Sequence, residues 1–281
     1  MGRILIAGCG YVGEAAADLF CKRGWEVEGW TASAESARRL SAKPYGVRAV
    51  DIGDESAVSA TAGEFEVVVH CASTSGGSAE QYRRIYLEGA RNLIRTFPRA
   101  RFLFTSSTSV YAQEGGELVD EGSPAEPLHE KGKLLRETER LVLAQGGIVA
   151  RLGGIHGPGR SFFLTKFLEG TAALDPDDRR SINQAHRDDI TAALVLFVER
   201  GESGIFNLVG DEPVTAREAY ECLSSWLAKP LPPSAKRPGG RKRGASNKRV
   251  TNKKLRALGW EPQYPTFQTA MLKSILPGFG F

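Results

Sequence analysis

The sequence predicts an α/β fold, in which a doubly wound parallel sheet covered by helices is joined to a smaller, mixed C-terminal region. Short apolar segments rich in β-branched residues alternate with amphipathic segments over residues 1–152. Strands that alternate with helices in this way form parallel sheets with right-handed crossovers. From Gly153 onward, glycine-rich loops and shorter helical segments replace the alternation.

The first predicted strand and helix enclose a glycine motif. Ile4–Ala7 is an apolar run that suits a buried strand, and Tyr11–Arg23 has the apolar stripe of a helix. Gly8, Gly10 and Gly13 follow the spacing G-x-G-x-x-G. In this context the spacing is the Rossmann-type dinucleotide-binding fingerprint, and the helix N-terminus holds the phosphates. The predicted cofactor contacts here are Gly8, Gly10, Tyr11, Val12 and Gly13.

The second predicted strand, Trp25–Trp30, bears on the choice of cofactor. NAD-binding versions of this fold carry an acidic residue near the end of that strand, which binds the ribose 2′-hydroxyl. Here the strand leads into Thr31 without an acid, and Arg38 follows on the next predicted helix. We therefore expect Thr31 and Arg38 to bind a 2′-phosphate, which favours NADP. NAD is the alternative, because Glu28 in the same strand is an acid that could bind the ribose 2′-hydroxyl.

Two further strands are predicted to end at the cofactor. Val47–Ile52 is the third strand and Glu66–Ala72 the fourth, and the small-residue loop Ser73–Gly77 after it suits passage under a cofactor. The predicted contacts are Asp51 and Ile52 beside the adenine, Ala72 and Ser73 under the cofactor, and Thr74 at the substrate.

The fifth strand, Arg101–Thr105, runs into Ser106–Tyr111, at the sheet edge where active sites of open α/β sheets lie. The other predicted elements are helix Glu80–Phe97, loop Gln113–Glu126, helix His129–Gln145, strand Gly147–Leu152, loop Gly153–Arg160, helices Phe162–Ala173 and Asp188–Glu199, strand Ile205–Leu208, and helices Thr215–Leu227, Asn252–Leu258 and Thr266–Ile275. We predict a cofactor-binding domain over residues 1–152, rejoined by about 184–210, and a mainly substrate-binding region over 153–281.

Composition is ordinary for a soluble globular protein, with 41% hydrophobic and 25% charged residues. No apolar run approaches the roughly 18 residues needed to span a bilayer, and no signal peptide is apparent before the first strand. The cysteines form no C-x-x-C pair, so we predict no metal site and a reducing, cytoplasmic setting. They are Cys9, Cys21, Cys71 and Cys222.

A basic segment runs from Lys229 to Arg256. It holds eleven Lys or Arg residues and no acid, so with an overall charge of +4 the rest of the chain has a net charge of −7. Its prolines and glycines indicate that much of it is loop. It could bind a polyanion, supply cations for a diphosphate-bearing substrate, or be a solvated loop. Aromatic residues are absent from Lys229 to Leu258, which argues against nucleic-acid binding by base stacking.

Taken together, the motifs resemble those of the extended short-chain dehydrogenase/reductase family, the NAD(P)-dependent epimerases and dehydratases, over nearly the whole chain. Within this family, the sequence most resembles the atypical branch that is similar to nucleoside-diphosphate-sugar epimerases. After the glycine motif, the markers in family order are Val68–Ala72, Phe104–Tyr111, Arg151–Gly159, His186–Ile190, Phe206–Gly210 and Leu258–Pro262.

The resemblance implies oxidation or reduction of a carbonyl or alcohol carbon by a Ser, Tyr and Lys set. In the family a tyrosinate is the base, the lysine binds the nicotinamide ribose and the serine orients the substrate oxygen. The resemblance places Ser107 and Lys133 at two of these positions, and His129 at the tyrosine position. Tyr86 stands where the family has an Asn, and His156 replaces the Tyr of its Tyr-Gly-Pro-Gly motif.

Three interpretations remain open. The protein is an active oxidoreductase in which His129, Tyr86 or Tyr111 takes over proton transfer, an NAD(P)H-binding sensor or scaffold without catalysis, or a nucleotide-sugar binder. An imidazole exchanges protons near neutral pH without help, and we favour an oxidoreductase or epimerase acting on a hydroxylated, nucleotide-linked substrate. The resemblance also implies a homodimer. The predicted substrate contacts are Thr74, Ser107, Thr108, His156, Arg160 and His186.

Overall fold

The computed structural model of the chain describes residues 2–61, 63–74, 76–235 and 246–281. Ser75 of the predicted cofactor loop and residues 236–245 of the basic segment lie outside these ranges. The chain divides into two compact units, each assembled from segments that are distant in the sequence. Unit 1 comprises Met1–Val110, Ala125–Arg151 and Ile190–Phe206, and unit 2 comprises Tyr111–Pro124, Leu152–Asp189 and Asn207–Phe281.

The strands in the described part of the chain are, in chain order, β1 (Arg3–Ala7), β2 (Glu26–Thr31), β3 (Gly46–Ala49), β4 (Val67–His70), β5 (Arg101–Ser107), β6 (Glu117–Val119), β7 (Ile148–Leu152), β8 (Gly154–His156), β9 (Gln184–His186), β10 (Gly204–Leu208) and β11 (Lys248–Val250). Seven of them form the central parallel sheet, in the order β10-β7-β5-β4-β1-β2-β3. This confirms the predicted Rossmann-like fold class.

The helices are α1 (Tyr11–Lys22), α2 (Ala34–Arg39), α3 (Glu55–Ser59), α4 (Ala79–Tyr82), α5 (Gly89–Thr96), α6 (Glu130–Ala144), α7 (Phe162–Leu168), α8 (Arg187–Arg200), α9 (Ala216–Leu227), α10 (Lys253–Ala257), α11 (Phe267–Ala270) and α12 (Leu276–Gly278). The capping box expected at the start of α9 is present: Glu218 N–H donates to Thr215 Oγ1 at 3.2 Å, and Thr215 N–H donates to the Glu218 carboxylate at 2.8 Å. None of these helices combines the length and apolar character needed to cross a bilayer.

The strand order reverses beside β1. From β1 the sheet extends through β2 and β3 on one side, whereas β4, β5, β7 and β10 lie on the other. Ala7 at the end of β1 therefore has Trp30 as one neighbour and His70 as the other. Ligands of doubly wound sheets bind beyond the carboxyl ends of the strands at such a reversal, so the expected site lies where β1 and β4 end.

The predicted helix Glu80–Phe97 is interrupted in its middle. Between α4 and α5 the segment Arg83–Glu88 is π-helical. The imidazole Nε2 of His70, at the end of β4, lies 3.1 Å from the carbonyl oxygen of Ile85 within this segment. A side chain that engages a helical carbonyl in this way interrupts the regular hydrogen-bond ladder, which explains the departure from a continuous α-helix.

Unit 2 corrects two predictions, each of a loop. The predicted loop Gln113–Glu126 contains β6, and the basic segment contains β11, which pairs parallel to it with Val250 opposite Val119. The predicted loop Gly153–Arg160 contains β8, paired with β9. Each of these strands spans only three residues, so its sequence carries no usable periodicity. The strand forms because it pairs with another segment of the chain.

Another helix of unit 2 is shorter than expected. The predicted helix Phe162–Ala173 is represented by α7, which ends at Leu168, just before Gly170 with φ +67°. Apolar side chains from α7, α9 and the C-terminal helices pack into the core of this unit. They include Phe163, Leu164, Phe167, Tyr220, Leu223, Phe267, Met271 and Ile275.

Candidate functional site

The glycine motif begins at the point where the strand order reverses. Gly8 has φ +99°, and a Cβ atom there would lie 2.2 Å from the backbone nitrogen of Ala72. Cys71 N–H donates to the carbonyl of Ala7 at 2.8 Å. The ends of β1 and β4 are therefore in contact, and two predicted cofactor contacts, Gly8 and Ala72, lie side by side.

The other two glycines have different surroundings. A Cβ atom on Gly13 would lie 2.1 Å from the carbonyl oxygen of Gly8, so α1 packs directly on the turn. Gly10 is exposed, and beyond its chain neighbours no described atom lies within 4 Å of the position of its missing Cβ. Gly10 also caps α1 without a side-chain hydrogen bond, and the first N–H groups of a helix have no acceptor inside it. From Tyr11 and Val12 onward this helix start fits a dinucleotide pyrophosphate.

The end of β2 leaves no free carboxylate. Thr31 is buried, and its Oγ1 donates to the carbonyl of Ser33 at 3.0 Å. Ser33 caps α2, on which Arg38 is exposed. Glu28, the alternative acid, accepts a hydrogen bond from Trp30 Nε1 at 2.7 Å. Its carboxylate is thus occupied by the protein, whereas the Arg38 guanidinium lies on the helix that follows this strand end.

Asp51 and Ile52 are both tied to the helical segment that follows β4. The Asp51 carboxylate forms an ion pair with Arg84. Ile52 is buried, and its carbonyl accepts a hydrogen bond from Asn92 Nδ2 at 2.9 Å. The strand itself ends earlier than predicted, at Ala49. These contacts anchor the turn after β3, and adenine contact at Asp51 and Ile52 stays a prediction.

The loop after β4 is fastened to the start of α6. Lys131 Nζ donates to the carbonyl of Gly76 at 3.1 Å and also to that of Gly77. Ser73 is exposed, whereas Thr74 Oγ1 is buried without a hydrogen-bond partner among the described residues. A polar ligand beside this loop would find an unused hydroxyl at Thr74.

The Ser, His and Lys positions lie on two elements of unit 1. Ser107 ends β5, and its Oγ accepts the N–H of Ser109 at 3.1 Å. His129 caps α6 and Lys133 follows four residues later, so the two exposed side chains leave the same face of the helix. A Cβ atom on Gly132 would lie 3.8 Å from the Ser109 carbonyl oxygen, so this first helical turn packs against the turn after β5.

A buried ionic network joins α6 to the strands beneath it. Glu139 accepts hydrogen bonds from Ser106 Oγ at 2.6 Å and from Arg151 Nε and Nη2 at 3.0 and 2.7 Å. It also pairs with Arg136. The side chains of Glu139 and Arg151 are 0% and 1% exposed. This bidentate pairing holds the helix that carries His129 and Lys133 in register with the end of β5.

Three other candidates lie in enclosed surroundings. Tyr86 is buried, and its ring stacks on that of His70 with centroids 6.3 Å apart. Tyr111 is also buried, and its hydroxyl donates to Asn207 Oδ1 at 2.8 Å. Thr108 is 9% exposed. The two tyrosines are therefore used in packing and hydrogen bonding, which favours His129 over both as the proton-transfer group.

In unit 2 the structure brings together His156 and His186. Their rings lie 5.7 Å apart on the paired strands β8 and β9. Burial lowers the pKa of both rings, that of His156 to about 3, so both are neutral at pH 7. His186 Nδ1 accepts the N–H of Asp188 at 3.2 Å, so its Nε2 carries the proton and donates to Ser274 Oγ at 2.9 Å. Arg160 is exposed in the turn after β8.

Several residues of the site region were missed from the sequence. Lys131 stands two residues before the lysine that the family motif selects, and its role depends on a loop distant in the sequence. Arg151 does carry a signal, because a charged residue inside the apolar run Ile148–Leu152 predicts a buried partner. Nothing local identifies Glu139 as that partner.

Residues 4–134 match the model of the NAD dependent epimerase/dehydratase family. The chain is 27% identical to Protein YeeZ of Escherichia coli (strain K12), over 94% of this chain and 97% of that protein. A solved structure of a candidate NAD-dependent epimerase/dehydratase from Methylobacillus flagellatus is 25% identical, with a TM-score of 0.79, covering 100% of this chain and 99% of that one.

A UDP-glucose 4-epimerase from Thermotoga maritima, solved with UDP-glucose, shares the fold with a TM-score of 0.84 at 18% identity, over 96% of each chain. The structural likeness covers both units, whereas the family model ends at residue 134, in the first turns of α6. These comparisons confirm the resemblance carried by the motifs: residues 4–134 are similar to the NAD dependent epimerase/dehydratase family, and the chain shares the fold of the solved structures named above.

Proposed function

We propose that the protein is an NADP-dependent oxidoreductase or epimerase that acts at a hydroxyl-bearing carbon of a nucleotide-linked sugar. The observation that carries this proposal is the open helix start at Gly10, at the reversal point of the sheet, where a pyrophosphate binds in folds of this kind. Ser107 and Lys133 lie on β5 and α6 of the same unit. The UDP-glucose held by the Thermotoga maritima relative supports the substrate class.

When bound, a nicotinamide cofactor supplies the hydride acceptor and donor. The chain's own residues divide the remaining tasks. The N–H groups at the start of α1 hold the pyrophosphate, the Lys133 ammonium binds the ribose hydroxyls, and Ser107 Oγ orients the substrate hydroxyl. A ring nitrogen of His129 takes the proton of that hydroxyl during oxidation and returns it during reduction.

The cofactor preference is tested by separate titrations with NADP and NAD. We expect Arg38→Ala to weaken NADP binding about tenfold, or ~1.4 kcal/mol, and to leave NAD binding unchanged, because only NADP has the 2′-phosphate. Arg39→Ala is the matched control, since Arg39 lies 3.5 Å from Glu14 in an ion pair. Equal losses for both cofactors would contradict the assignment of Arg38, and a wild-type protein that binds neither would refute the proposal.

Catalysis is tested by incubating the NADP-loaded protein with a panel of sugar nucleotides and analysing the products. Ser107→Ala and Lys133→Ala should abolish turnover. We expect His129→Gln to slow it by about 10²–10⁴-fold, the usual contribution of a general acid–base group, with NADP binding retained. If NADP binds and no sugar nucleotide is converted, the catalytic part of the proposal fails and the sensor interpretation takes its place.

A further inference from the structure

Lys248 is a lysine in the interior of unit 2, on β11. Only 4% of its surface is exposed, whereas Lys229, Arg249 and Lys253 in the described part of the same basic segment are exposed. Its ammonium donates to the carbonyl of Tyr111 at 3.0 Å and to Ser246 Oγ at 2.7 Å. Both acceptors are neutral oxygens, and together they use two of the three N–H donors.

The charge of Lys248 has no counter-ion among the residues that the structure describes. No carboxylate of the described residues lies within 4.0 Å of its Nζ. Residues 236–245 and the other positions outside the described ranges include no Asp or Glu. Burial lowers the pKa of Lys248 to about 8, so the amine is still largely protonated at pH 7. A buried, uncompensated ammonium is costly, and an anionic ligand would offset that cost.

Two unsatisfied polar atoms belong to residues that are linked to Lys248 through the segment 111–113. Gln113 Oε1 and Asn207 Nδ2 are both buried without a hydrogen-bond partner among the described residues. Asn207 is bound through its Oδ1 to the hydroxyl of Tyr111, whose carbonyl accepts from Lys248. Gln113 follows two residues later, and its carbonyl accepts the N–H of Asn247 at 3.0 Å. One N–H of Lys248, the Nδ2 amide of Asn207 and the Oε1 of Gln113 are thus left unused around the same short segment.

We propose that Lys248, Asn207 and Gln113 form a subsite in unit 2 for a phosphate group of the substrate. The third N–H of Lys248 and the Nδ2 of Asn207 donate to phosphate oxygens, and Gln113 Oε1 accepts from a neighbouring sugar hydroxyl. An ammonium and a phosphate oxygen form a charge-assisted hydrogen bond, roughly twice as strong as a neutral one. The inference rests on the proposed function, because it names the residues that bind the diphosphate of a nucleotide-linked substrate.

The test compares Lys248→Met with Lys253→Met in the full-length protein. Methionine keeps an unbranched side chain and removes the charge, and the exposed Lys253 makes the second variant a matched control. UDP-glucose and inorganic pyrophosphate are titrated calorimetrically in the presence of saturating NADP, so that the glycine motif is already occupied. We expect Lys248→Met to weaken both probes at least tenfold and Lys253→Met to leave both affinities unchanged.

Probe binding that is equal in Lys248→Met and wild type would overturn the inference, and would assign an internal water to the three polar atoms. A wild-type protein that binds neither probe would overturn it as well. If the separate titration shows no NADP binding, the proposed cofactor function is refuted. A difference in probe affinity between Lys248→Met and wild type would still support the phosphate subsite.

A second measurement needs no variant at Lys248. Because a neutral amine does not attract an anion, the affinity of the wild-type protein for pyrophosphate should fall as the pH is raised through about 8 and beyond. The Lys253→Met protein should show the same decline. An affinity that stays constant between about pH 7 and pH 9.5 would contradict a charged Lys248 at the subsite. If Lys248→Met unfolds, Lys248→Gln, which keeps a donor for the Tyr111 carbonyl, replaces it in the comparison.

Discussion

At the residue scale, the glycine motif combines two different requirements. Gly8 and Gly13 are needed by the fold itself, because a Cβ atom on either would lie within 2.2 Å of backbone atoms. Packing does not demand the glycine at Gly10, since open space surrounds its Cβ position, although its φ of −101° and ψ of −148° lie outside the regions that other residues prefer. A glycine that packing does not demand is explained by a ligand that approaches the backbone closely.

This difference separates stability from cofactor binding. Gly13→Ala should destabilise the protein by about 1–3 kcal/mol, the usual cost of overpacking, because the carbonyl of Gly8 is backbone and cannot move aside. Gly10→Ala should destabilise the protein less than Gly13→Ala, because its methyl group meets no described atom within 4 Å. It should also weaken NADP binding, because that methyl group takes the place of the pyrophosphate. Urea unfolding and NADP titration of both variants measure this. A Gly10→Ala protein that binds NADP normally would remove the assigned role of Gly10.

At the element scale, buried charges decide where α6 lies. One carboxylate, that of Glu139, is shared by the guanidinium groups of Arg151 and Arg136 and by the hydroxyl of Ser106. Ser106 directly precedes Ser107 on β5, and Glu139 lies on the helix that carries Lys133. The network therefore fixes the positions of the two elements that carry the proposed catalytic residues, which apolar packing alone would not specify as tightly.

Removing the shared carboxylate tests this role. Glu139→Gln should destabilise the protein by about 3–5 kcal/mol, because it leaves buried guanidinium charge without an anion. Glu137→Gln on the same helix is the control: its ion pair with Arg91, at 3.0 Å, has side chains 46% and 42% exposed. Such exposed pairs contribute less than about 1 kcal/mol. Urea unfolding measures the stability of both variants. Similar small losses in the free energy of unfolding would contradict a stabilising role of the Glu139 carboxylate.

At the scale of the whole molecule, each unit buries a neutral histidine. Burial lowers the pKa of His70 in unit 1 to about 4 and that of His156 in unit 2 to about 3. In the unfolded chain a histidine titrates near pH 6.5. Between pH 6.5 and these lower values the unfolded chain binds more protons than the folded one, so acid favours unfolding.

Stability should therefore fall as the pH drops below about 6.5, by up to roughly 1.4 kcal/mol per pH unit for each histidine. Asp189 acts in the opposite direction, because burial raises its pKa to about 6. The contribution of one histidine is thus measured as a difference between variants. Urea unfolding between about pH 7 and pH 4 should show a shallower decline for His70→Gln than for wild type. His129→Gln, which removes an exposed ring, should follow the wild-type profile, and identical profiles for all three proteins would contradict the prediction.

The sequence by itself determined the parallel sheet, the glycine motif and the capping box at Thr215. In each case the cause is local: the apolar run Ile4–Ala7 suits a doubly covered strand, the three glycines lie within six residues, and Thr215 and Glu218 are three residues apart. The resemblance to family motifs also led to the predicted roles of Ser107 and Lys133, which stay predictions. The predicted ends of strands and helices were less accurate, as for β3 and α7, because a neighbouring element decides where a strand or helix stops.

The tertiary structure alone decided which side chains meet. The pairing of β6 with β11 joins segments more than a hundred residues apart, and it is this pairing that places Lys248 in the interior. The same holds for Glu139 and Arg151, for the π-helical turn facing His70, and for Lys131 beneath the loop after β4. Charge and periodicity along the chain show that a residue can be buried or paired, whereas the partner is set by packing between distant segments.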